Sequence, residues 1–306
     1  YKVYGADGCQ MTSEAADAVY RLIEQTDLFE DVLTVDFEES VELEQISMVS
    51  ERVIADYEQA VLACRQRPGL LAESDLSVVY TPLNGSGNLP VRRVLAAAGL
   101  RRLTVVPEQE LPDGNFPTCG YPNPELPEAM ALGVALTERL GADLLIGTDP
   151  DSDRVGVGVA KNGRVTLLSG NEVGVLLTDY IGSARTERHT MPERPILVKS
   201  IVSTPLADLV AAHYGIETVN VLTGFKYIGE TILHLEQQGE QERFVFGFEE
   251  SCGYLPAGYV RDKDGVNAVM LICEMAAYYK EQGETLQSRI QALYETYGFY
   301  QNDLME

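Results

Sequence analysis

Three aspartates at alternate positions, followed at once by an arginine, form the chemically most distinctive stretch of this chain of 306 residues. They are Asp149, Asp151 and Asp153, and the arginine is Arg154. Carboxylates this close repel one another and raise one another's pKa values unless a cation lies between them. Mg²⁺ prefers oxygen ligands and keeps coordination positions for water or a substrate phosphate. The spacing therefore favours a Mg²⁺ site, and Arg154 adds a planar donor for a phosphate or carboxylate.

The residues that flank these aspartates predict a loop between two strands. Residues 142–147 form an apolar run typical of a buried strand, and residues 155–159 resume as another strand. The carboxylates would thus follow the C-terminal end of a strand, where open α/β sheets bind ligands. An EF-hand is excluded because its loop needs Gly at position six and Glu at position twelve, where this chain has Arg154 and Ala160. A solvated acidic loop remains the alternative.

Further loops that follow predicted strands contain residues that could bind a sugar or a phosphate. They are residues 82–87, 223–229 and 248–253. Because the C-terminal ends of parallel strands share one edge of a sheet, these loops could line one cleft with the aspartates. Glu249 and Ser251 offer the carboxylate and hydroxyl groups that bind sugar hydroxyls, although an ordinary acidic loop fits the pattern equally well. Lys226 could contact a phosphate or face solvent.

A charged segment at residues 261–265 precedes a predicted helix. Asp264 fits the N-cap position of this helix. Arg261 and Lys263, beside a helix N-terminus, would favour an anion. The histidines show no spacing typical of metal ligands, and we assign no function to His189, His213 and His234.

Composition and charge exclude several classes of partner. The formal net charge is −24, from 47 acidic and 23 basic residues, which disfavours nucleic acid and anionic membrane surfaces. No apolar run has the length of a membrane span, and no signal peptide is visible. The five cysteines are scattered and form no C-x-x-C pair. Reduced thiols in a cytoplasmic protein are the simplest interpretation.

Alternating strand and helix patterns predict an α/β fold with two consecutive three-layer α/β/α domains and mostly parallel mixed sheets. The predicted helices are residues 13–25, 47–67, 90–99, 128–140, 170–182, 205–214, 226–238, 264–280 and a last helix from Thr285. The predicted strands are residues 2–5, 31–37, 76–81, 102–106, 142–147, 155–159, 164–168, 195–199, 216–222 and 243–248. The Asn162-Gly163 turn predicts a hairpin, and we place the boundary between the two domains there.

Several motifs, in this order along the chain, resemble those of the α-D-phosphohexomutases, the phosphoglucomutase/phosphomannomutase family. Residues 81–87 resemble the family's T-P-x-x-G-x-G turn, and residues 148–154 resemble its metal-binding loop. Residues 223–226 resemble its T-G-x-K loop. Residues 249–251 resemble its sugar-binding G-E-x-S loop, with Phe248 in place of the usual glycine, and residues 261–265 resemble the segment that follows. The resemblance extends from Tyr1 to about Lys280.

The resemblance implies transfer of a phosphoryl group between O1 and O6 of a hexose, through a bisphosphorylated sugar and an enzyme phosphoserine. It implies Mg²⁺ as cofactor, bound by Asp149, Asp151 and Asp153. The implied substrates are hexose phosphates, namely glucose 1-phosphate, glucose 6-phosphate and glucose 1,6-bisphosphate. The implied catalytic residues are Arg154 and Lys263. The implied substrate-binding residues are Thr223, Gly224, Lys226, Glu249, Ser251 and Lys263.

Two family motifs are absent from the sequence, the T-A-S-H-N-P serine loop and the R-x-S-G-T-E-P phosphate loop. We therefore expect a central part of a longer mutase, inactive alone, with the remaining mutase domains as partners. Residues 1–38 would be the remnant of a preceding domain, residues 39–163 a domain ending in the metal-binding loop, residues 164–290 a domain with the sugar-binding loop, and residues 291–306 a linker. The alternative from another class is a non-catalytic module that binds Mg²⁺ and sugar phosphates. An aspartyl-phosphate phosphatase is disfavoured, because no separate lysine–aspartate pair is recognisable.

Overall fold

The computed structural model describes residues 3–11 and 13–302. Its strands are β1 (Ser77–Thr81), β2 (Arg102–Val105), β3 (Leu144–Thr148), β4 (Val155–Lys161), β5 (Arg164–Leu168), β6 (Ile196–Ser200), β7 (Glu217–Val221), β8 (Phe244–Glu249) and β9 (Gly253–Leu255). Its helices are α1 (Ser13–Ile23), α2 (Phe37–Glu42), α3 (Glu51–Ala63), α4 (Leu70–Glu73), α5 (Asn88–Ala98), α6 (Pro127–Leu140), α7 (Gly170–Glu187), α8 (Leu206–His213), α9 (Phe225–Gln237), α10 (Gly265–Glu281) and α11 (Leu286–Tyr297). The alternation confirms the predicted α/β class with two consecutive α/β/α units.

The first sheet has the strand order β2-β1-β3-β4-β5. Strand β1 runs parallel to β2 and β3, whereas β4 pairs antiparallel with β3 and β5. The predicted hairpin is confirmed, since Lys161 pairs with Arg164 around the Asn162-Gly163 turn. Both turn residues have positive φ angles, 53° and 77°, as a type I′ turn requires. This turn lies within one sheet, and the change of sheet comes after Leu168, so the position of the domain boundary stays a prediction.

The second sheet has the order β7-β6-β8-β9, with β6 parallel to both β7 and β8. Strand β9 pairs antiparallel with β8 and was not predicted. It contains only Gly253–Leu255, which is too short for a clear alternating pattern. Each sheet thus combines a parallel part with an antiparallel edge, and the C-terminal ends of the parallel strands within each sheet lie on one side.

Helix α10 lies in the core between the two sheets. Its Leu271 is buried in the same apolar cluster as Ile146 of β3 and Leu197 of β6. Because both faces of the helix are covered by apolar elements, its sequence is hydrophobic all round rather than along one stripe. The helix starts at the cleft side of the molecule, where Asp264 caps it through the backbone N–H of Asn267, as predicted.

The N-terminal segment departs most from the sequence predictions. The predicted strand at residues 2–5 is wrong where it can be judged: Tyr4 forms an isolated bridge with Gln10 and no extended strand, while Lys2 lies outside the described residues. The predicted strand at residues 31–37 is also wrong, because residues 32–36 pair with no described strand and Phe37 begins α2. An apolar, β-branched run forms a stable strand only where a neighbouring strand accepts its backbone hydrogen bonds.

Helix α3 begins later than predicted, at Glu51 rather than Ser47. The Ser50 side chain accepts the backbone N–H of Val53 at 3.5 Å and marks the N-cap. The first half of the predicted apolar stripe is consequently exposed, with Val49 at 69% and Val53 at 56%. Only the C-terminal half packs into the core, and it does so through Val61 and Leu62.

The last helix, α11, belongs to the second unit. It continues to Tyr297, and its Leu293 is buried in the main core, so a linker beginning at residue 291 is wrong. All five cysteines lie in the described ranges as free thiols. Among the described residues, no helix combines the length and apolar character needed to cross a bilayer.

Candidate functional site

The three aspartates converge at the C-terminal end of β3. Ligand oxygens of Asp149, Asp151 and Asp153 all lie within 4.8 Å of one another. Asp149 and Asp153 are buried, while Asp151 is exposed. One oxygen of Asp149 accepts the backbone N–H groups of Asp153 and Arg154, each at 2.9 Å. Asp149 therefore fixes the loop that carries the other two carboxylates, and residues 149–154 are called the aspartate loop below.

The environment of Asp149 disfavours its negative charge. The pKa of Asp149 is raised to about 7, mainly because the carboxyl group is buried. The hydrogen bond from the Arg154 backbone lowers this pKa, whereas the neighbouring charges of Asp153 and Asp151 raise it. A hard cation between these oxygens would reverse this effect. The crowded, partly buried set of carboxylates thus fits Mg²⁺, which binds through one or two carboxylates plus substrate oxygens.

The aspartate loop is held against the loop after β1 by close backbone contact. The Ser86 backbone N–H donates to the Pro150 carbonyl at 2.8 Å. A Cβ atom on Gly85 would lie 2.4 Å from the Pro150 Cα, and one on Gly87 would lie 2.7 Å from the Ser152 Oγ. Both positions therefore need glycine, which explains the glycines of the predicted turn at residues 81–87.

The second unit contacts the aspartate loop from the other side. Arg154 forms an isolated antiparallel bridge with Gly253, and the Val155 backbone N–H donates to the Cys252 carbonyl at 2.9 Å. Lys263 Nζ lies 3.2 Å from Asp153 Oδ2 and 3.1 Å from Asp262 Oδ1. The predicted catalytic residue Lys263 thus lies beside a predicted metal ligand.

Arg154 lies among carboxylates of the same cleft. Its Nε atom is 3.9 Å from Asp149 Oδ2 and 3.9 Å from Asp153 Oδ1, and its Nη1 is 4.0 Å from Glu125 Oε2. Within the part of the chain that the structure describes, this buried Nε has no hydrogen-bond partner. The side chain is 39% exposed. The guanidinium is therefore placed to receive an anion without first breaking a short ion pair.

The predicted sugar-binding loop is tied to its neighbours through its carboxylates. Glu249 Oε1 accepts the Gly224 backbone N–H at 2.6 Å. Burial raises the pKa of Glu249, while that hydrogen bond and Lys263 act in the opposite direction. Glu250 Oε2 accepts the hydroxyls of Ser200 at 2.6 Å and Ser203 at 3.1 Å. Consecutive glutamates thus bind the loops after β7 and β6, respectively.

Part of the predicted site lines a cavity of about 760 Å³. It is lined by Asp151, Asp153 and Lys263, together with Tyr57 and Asp262. The strand-end argument anticipated a cleft shared by the aspartate loop and the loop at residues 82–87, of which Ser86 lines this cavity; it did not include the segment at residues 261–265. The cavity brings one loop from each unit into a single concave surface.

Several other predicted residues, among them Lys226, Thr223 and Ser251, are not part of the lining of this cavity. Lys226 lines a separate cavity of about 480 Å³, formed with residues of the N-terminal segment. Arg261 does line the cavity of about 760 Å³, but its guanidinium is paired with Glu236 and donates to the Gly258 carbonyl at 2.6 Å, so a role in binding an anion stays a prediction. Thr223 is exposed, and Ser251 is half-buried.

Sequence reasoning missed two contributors to the site. Tyr57 was predicted as part of the apolar stripe of α3, yet its hydroxyl donates to the Asp264 carboxylate at 3.0 Å. Asp262 lay within the charged segment but received no role, and it holds Lys263. Acidic residues next to a candidate lysine could have identified Asp262. No signal in the sequence marked Tyr57, because its partner is 207 residues away.

The fold and the geometry of the site define an α/β protein in which each of two successive units contributes one segment to a common cavity. Residues 55–163 match the model of phosphoglucomutase/phosphomannomutase, alpha/beta/alpha domain II, and residues 169–297 match that of domain III. The chain belongs to the phosphoglucomutase/phosphomannomutase family, which confirms the predicted resemblance.

Relatives agree with this assignment. A phosphoglucomutase of Staphylococcus aureus (strain USA300) is 34% identical over 99% of this chain and 53% of that protein. The chain thus spans about half the length of the curated relatives it matches. The open form of the phosphoglucomutase parafusin from Paramecium has a TM-score of 0.68 at 18% identity, over 95% of this chain and 52% of that one. An Aspergillus fumigatus N-acetylphosphoglucosamine mutase, in complex with GlcNAc-6P and magnesium, has a TM-score of 0.52 at 13% identity, over 81% and 51%. These two structures show likeness of fold.

Proposed function

We propose that this chain supplies the Mg²⁺ and sugar-phosphate sites of a phosphohexomutase, which interconverts hexose 1-phosphate and hexose 6-phosphate. The reaction would pass through a bisphosphorylated sugar and an enzyme phosphoserine, as in the family that the sequence resembles. Support comes from family membership and from relatives that are phosphoglucomutases. The proposed cofactor and ligand class also agree with the magnesium and GlcNAc-6P bound by the Aspergillus mutase.

One observation carries this proposal: Lys263 of the second unit lies 3.2 Å from Asp153 of the aspartate loop in the first. A phosphoryl group bound at the aspartates would therefore lie next to the segment that follows the sugar loop. Transfer of a phosphoryl group depends mainly on positioning and on neutralising charge. A site that combines metal ligands with two cationic side chains provides both.

In this proposal, Asp149, Asp151 and Asp153 hold Mg²⁺. When bound, the ion polarises the phosphoryl group and neutralises charge that develops during its transfer. Asp149 also shapes the loop through its two backbone hydrogen bonds. The exposed Asp151 lines the cavity and is the carboxylate most open to an incoming ligand.

The cationic residues orient the phosphate. Arg154 offers a planar guanidinium whose Nε is buried among carboxylates, and it would steady the phosphoserine or the sugar phosphate. Lys263, held between Asp153 and Asp262, would contact phosphate or assist proton transfer to a sugar oxygen.

The loops of the second sheet bind the sugar in this proposal. Glu249 and Ser251 would hold sugar hydroxyls, and Thr223 and Gly224 would contact the substrate from the neighbouring loop. Glu249 already binds the Gly224 backbone N–H, which supports a joint role of the two loops. Lys226 is the least supported member, because it lines the other cavity. The likeness of residues 249–251 to glucose-preferring members points to glucose phosphates.

We also propose that these residues alone turn over hexose phosphates slowly or not at all, because the sequence contains no phosphoryl-carrying serine loop. Sugar and metal binding would then be retained without turnover. Interconversion of glucose 1-phosphate and glucose 6-phosphate by this chain alone, at the rate of an intact mutase, would contradict this part of the proposal.

The metal site is tested by titrating the chain with Mg²⁺ in an isothermal titration calorimeter. We expect Asp151→Asn to weaken binding by about tenfold or more, since even outer-shell changes cost metal sites roughly tenfold to 100-fold. The matched control is Asp56→Asn, which removes the same charge from the exposed face of α3, where Asp56 is 75% exposed. Identical titrations of the two variants would exclude Asp151 from the site.

A further inference from the structure

The carboxylate of Asp264 has more hydrogen-bond partners than a helix cap requires. It accepts the Asn267 backbone N–H at 2.9 Å, which is the ordinary N-cap bond of α10. It also accepts the hydroxyl of Tyr57, at 3.0 and 3.1 Å to its two oxygens, and the hydroxyl of Tyr259. Asp264 is only 7% exposed. Capping explains the bond to Asn267 and leaves both phenols unexplained.

The two phenols come from different parts of the fold. Tyr57 lies on α3 of the first unit, whereas Tyr259 lies in the segment that leads into α10. Burial and the charge of Asp264 raise the pKa values of both tyrosines, so both stay protonated and can donate. A buried carboxylate that accepts two such donors joins the start of α10 to α3 across the boundary between the units.

Both neighbours of Asp264 in the sequence contact the aspartate loop. Lys263 Nζ lies 3.2 Å from Asp153 Oδ2. On the other side, the Gly265 backbone N–H donates to the Ser152 carbonyl at 3.0 Å. A Cβ atom on Gly265 would lie only 2.4 Å from that carbonyl oxygen. The aspartate loop therefore rests directly on residues whose position depends on Asp264.

We propose that Asp264, Tyr57 and Tyr259 form an anchor that positions the aspartate loop for its ligand by fixing Lys263 and Gly265 against it. These are positioning residues, since none of them is among the proposed metal ligands. The inference rests on the proposed function for the identity of the ligand, but the contact between Gly265 and Ser152 can be tested without it. The anchor couples the geometry of the metal site in the first unit to a helix of the second unit.

Two substitutions distinguish the proposed anchoring role of Asp264 from simple helix capping. Tyr57→Phe removes one phenol and leaves the cap intact. Asp264→Ser keeps a good N-cap residue but is too short to reach either tyrosine. If capping were the whole role of Asp264, Tyr57→Phe would have no effect and serine would replace aspartate without loss. The matched control is Tyr214→Phe, which removes a phenol that donates to the buried Asp179 at 2.9 Å, away from the aspartate loop.

Two measurements on the 306-residue chain decide the matter. Amide hydrogen exchange of Gly265 reports its bond to Ser152, and titration with Mg²⁺ reports the site. We expect both anchor variants to exchange the Gly265 amide about threefold to tenfold faster and to bind Mg²⁺ weaker by a similar factor, which is the range for one lost hydrogen bond. Tyr214→Phe should leave both unchanged.

Unchanged Gly265 exchange in both anchor variants would overturn the inference, and so would equal changes in Tyr214→Phe. If the unmodified chain bound no Mg²⁺, the proposed function would fail, and the exchange rates would then decide the anchor alone. Thermal melts of all variants confirm that each one folds, so a general loss of stability is distinguished from a local change at the loop.

Discussion

The two sheet edges that meet at the cleft are held together by different means. At the edge of the first sheet, the Pro150 and Ser152 carbonyls accept the Ser86 and Gly265 amides. At the edge of the second sheet, side chains make the corresponding links. There, Glu249 accepts a backbone amide and Glu250 accepts two serine hydroxyls.

This difference shows how each edge can tolerate change. Backbone contacts without space for a Cβ atom fix the aspartate loop closely, but they depend on glycine at particular positions. The second edge also has a glycine without space for a Cβ atom, since one on Gly170 would lie 1.9 Å from the Glu250 carbonyl oxygen, but in addition it depends on carboxylates of the type that would bind a sugar. We therefore expect added side-chain volume to destabilise the first edge, and removal of a carboxylate to destabilise the second.

The largest expected effect comes from adding volume at the first edge. In Gly85→Ala, the new Cβ would lie 2.4 Å from the Pro150 Cα and 2.6 Å from its carbonyl oxygen. Backbone atoms cannot move aside cheaply, so we expect urea unfolding to show a loss of about 3 kcal/mol, the upper range for overpacking, and weaker Mg²⁺ binding. The control is Gly120→Ala, where a Cβ atom meets nothing within 4 Å. Equal stabilities of the two variants would remove the steric argument.

A smaller effect is expected from removing a carboxylate at the second edge. Glu250→Ala deprives the buried hydroxyls of Ser200 and Ser203 of their charged acceptor. We expect a loss of about 1.5 kcal/mol in urea unfolding, typical of hydrogen bonds to charged groups, with Mg²⁺ affinity unchanged. Glu193→Ala, at an exposed position, is the matched control. If Glu250→Ala weakened Mg²⁺ binding as much as a change in the aspartate loop, the two edges would not be independent.

The smallest expected effect concerns α10, which both units share. Burial raises the pKa of Glu274, so the folded chain keeps a proton that the unfolded chain releases as pH rises. This contribution to stability is present at low pH and is lost as pH rises towards and through the raised pKa. Glu274→Gln cannot titrate, so its unfolding free energy should depend less on pH between about pH 5 and about pH 7, by less than about 1 kcal/mol per pH unit.

The measurement for Glu274→Gln is a series of urea unfolding curves across that pH range. The control is Glu281→Gln on the exposed end of the same helix, which should keep the pH dependence of the unmodified chain. A parallel pH dependence for all three proteins would show that Glu274 ionises in the folded chain as freely as in the unfolded one.

Most of the packed fold was predictable because its elements carry local signals. The strand predicted at residues 76–81 is rich in β-branched and aromatic residues, and helix α6 is followed by Gly141 as its C-cap, with φ 60°, as a glycine after a helix predicts. The N-terminal segment was not predictable in the same way. Residues 32–36 have strand-like composition, but Leu33 is 93% exposed and, in the part of the chain that the structure describes, no partner strand lies beside them.

Of the candidate site, the sequence predicted the proposed metal ligands but not the residues that position them. The aspartates can be recognised in the sequence, because three acids at alternate positions are typical of a metal site. The residues that position the aspartates cannot be recognised in this way, since Gly265 and Tyr57 act through contacts with residues far away in the sequence. Chemistry is encoded by residue type and spacing, whereas positioning is encoded by tertiary contacts that a single sequence does not reveal.

The buried path of α10 has a consequence for how the two units behave. Its Leu271 shares one apolar cluster with Ile146 of the first sheet and Leu197 of the second. Two regions that are recognised as separate family domains thus share one large hydrophobic cluster, although each also has a smaller apolar cluster of its own. Because the largest cluster contains residues of both units, we expect the two to unfold together in one cooperative transition.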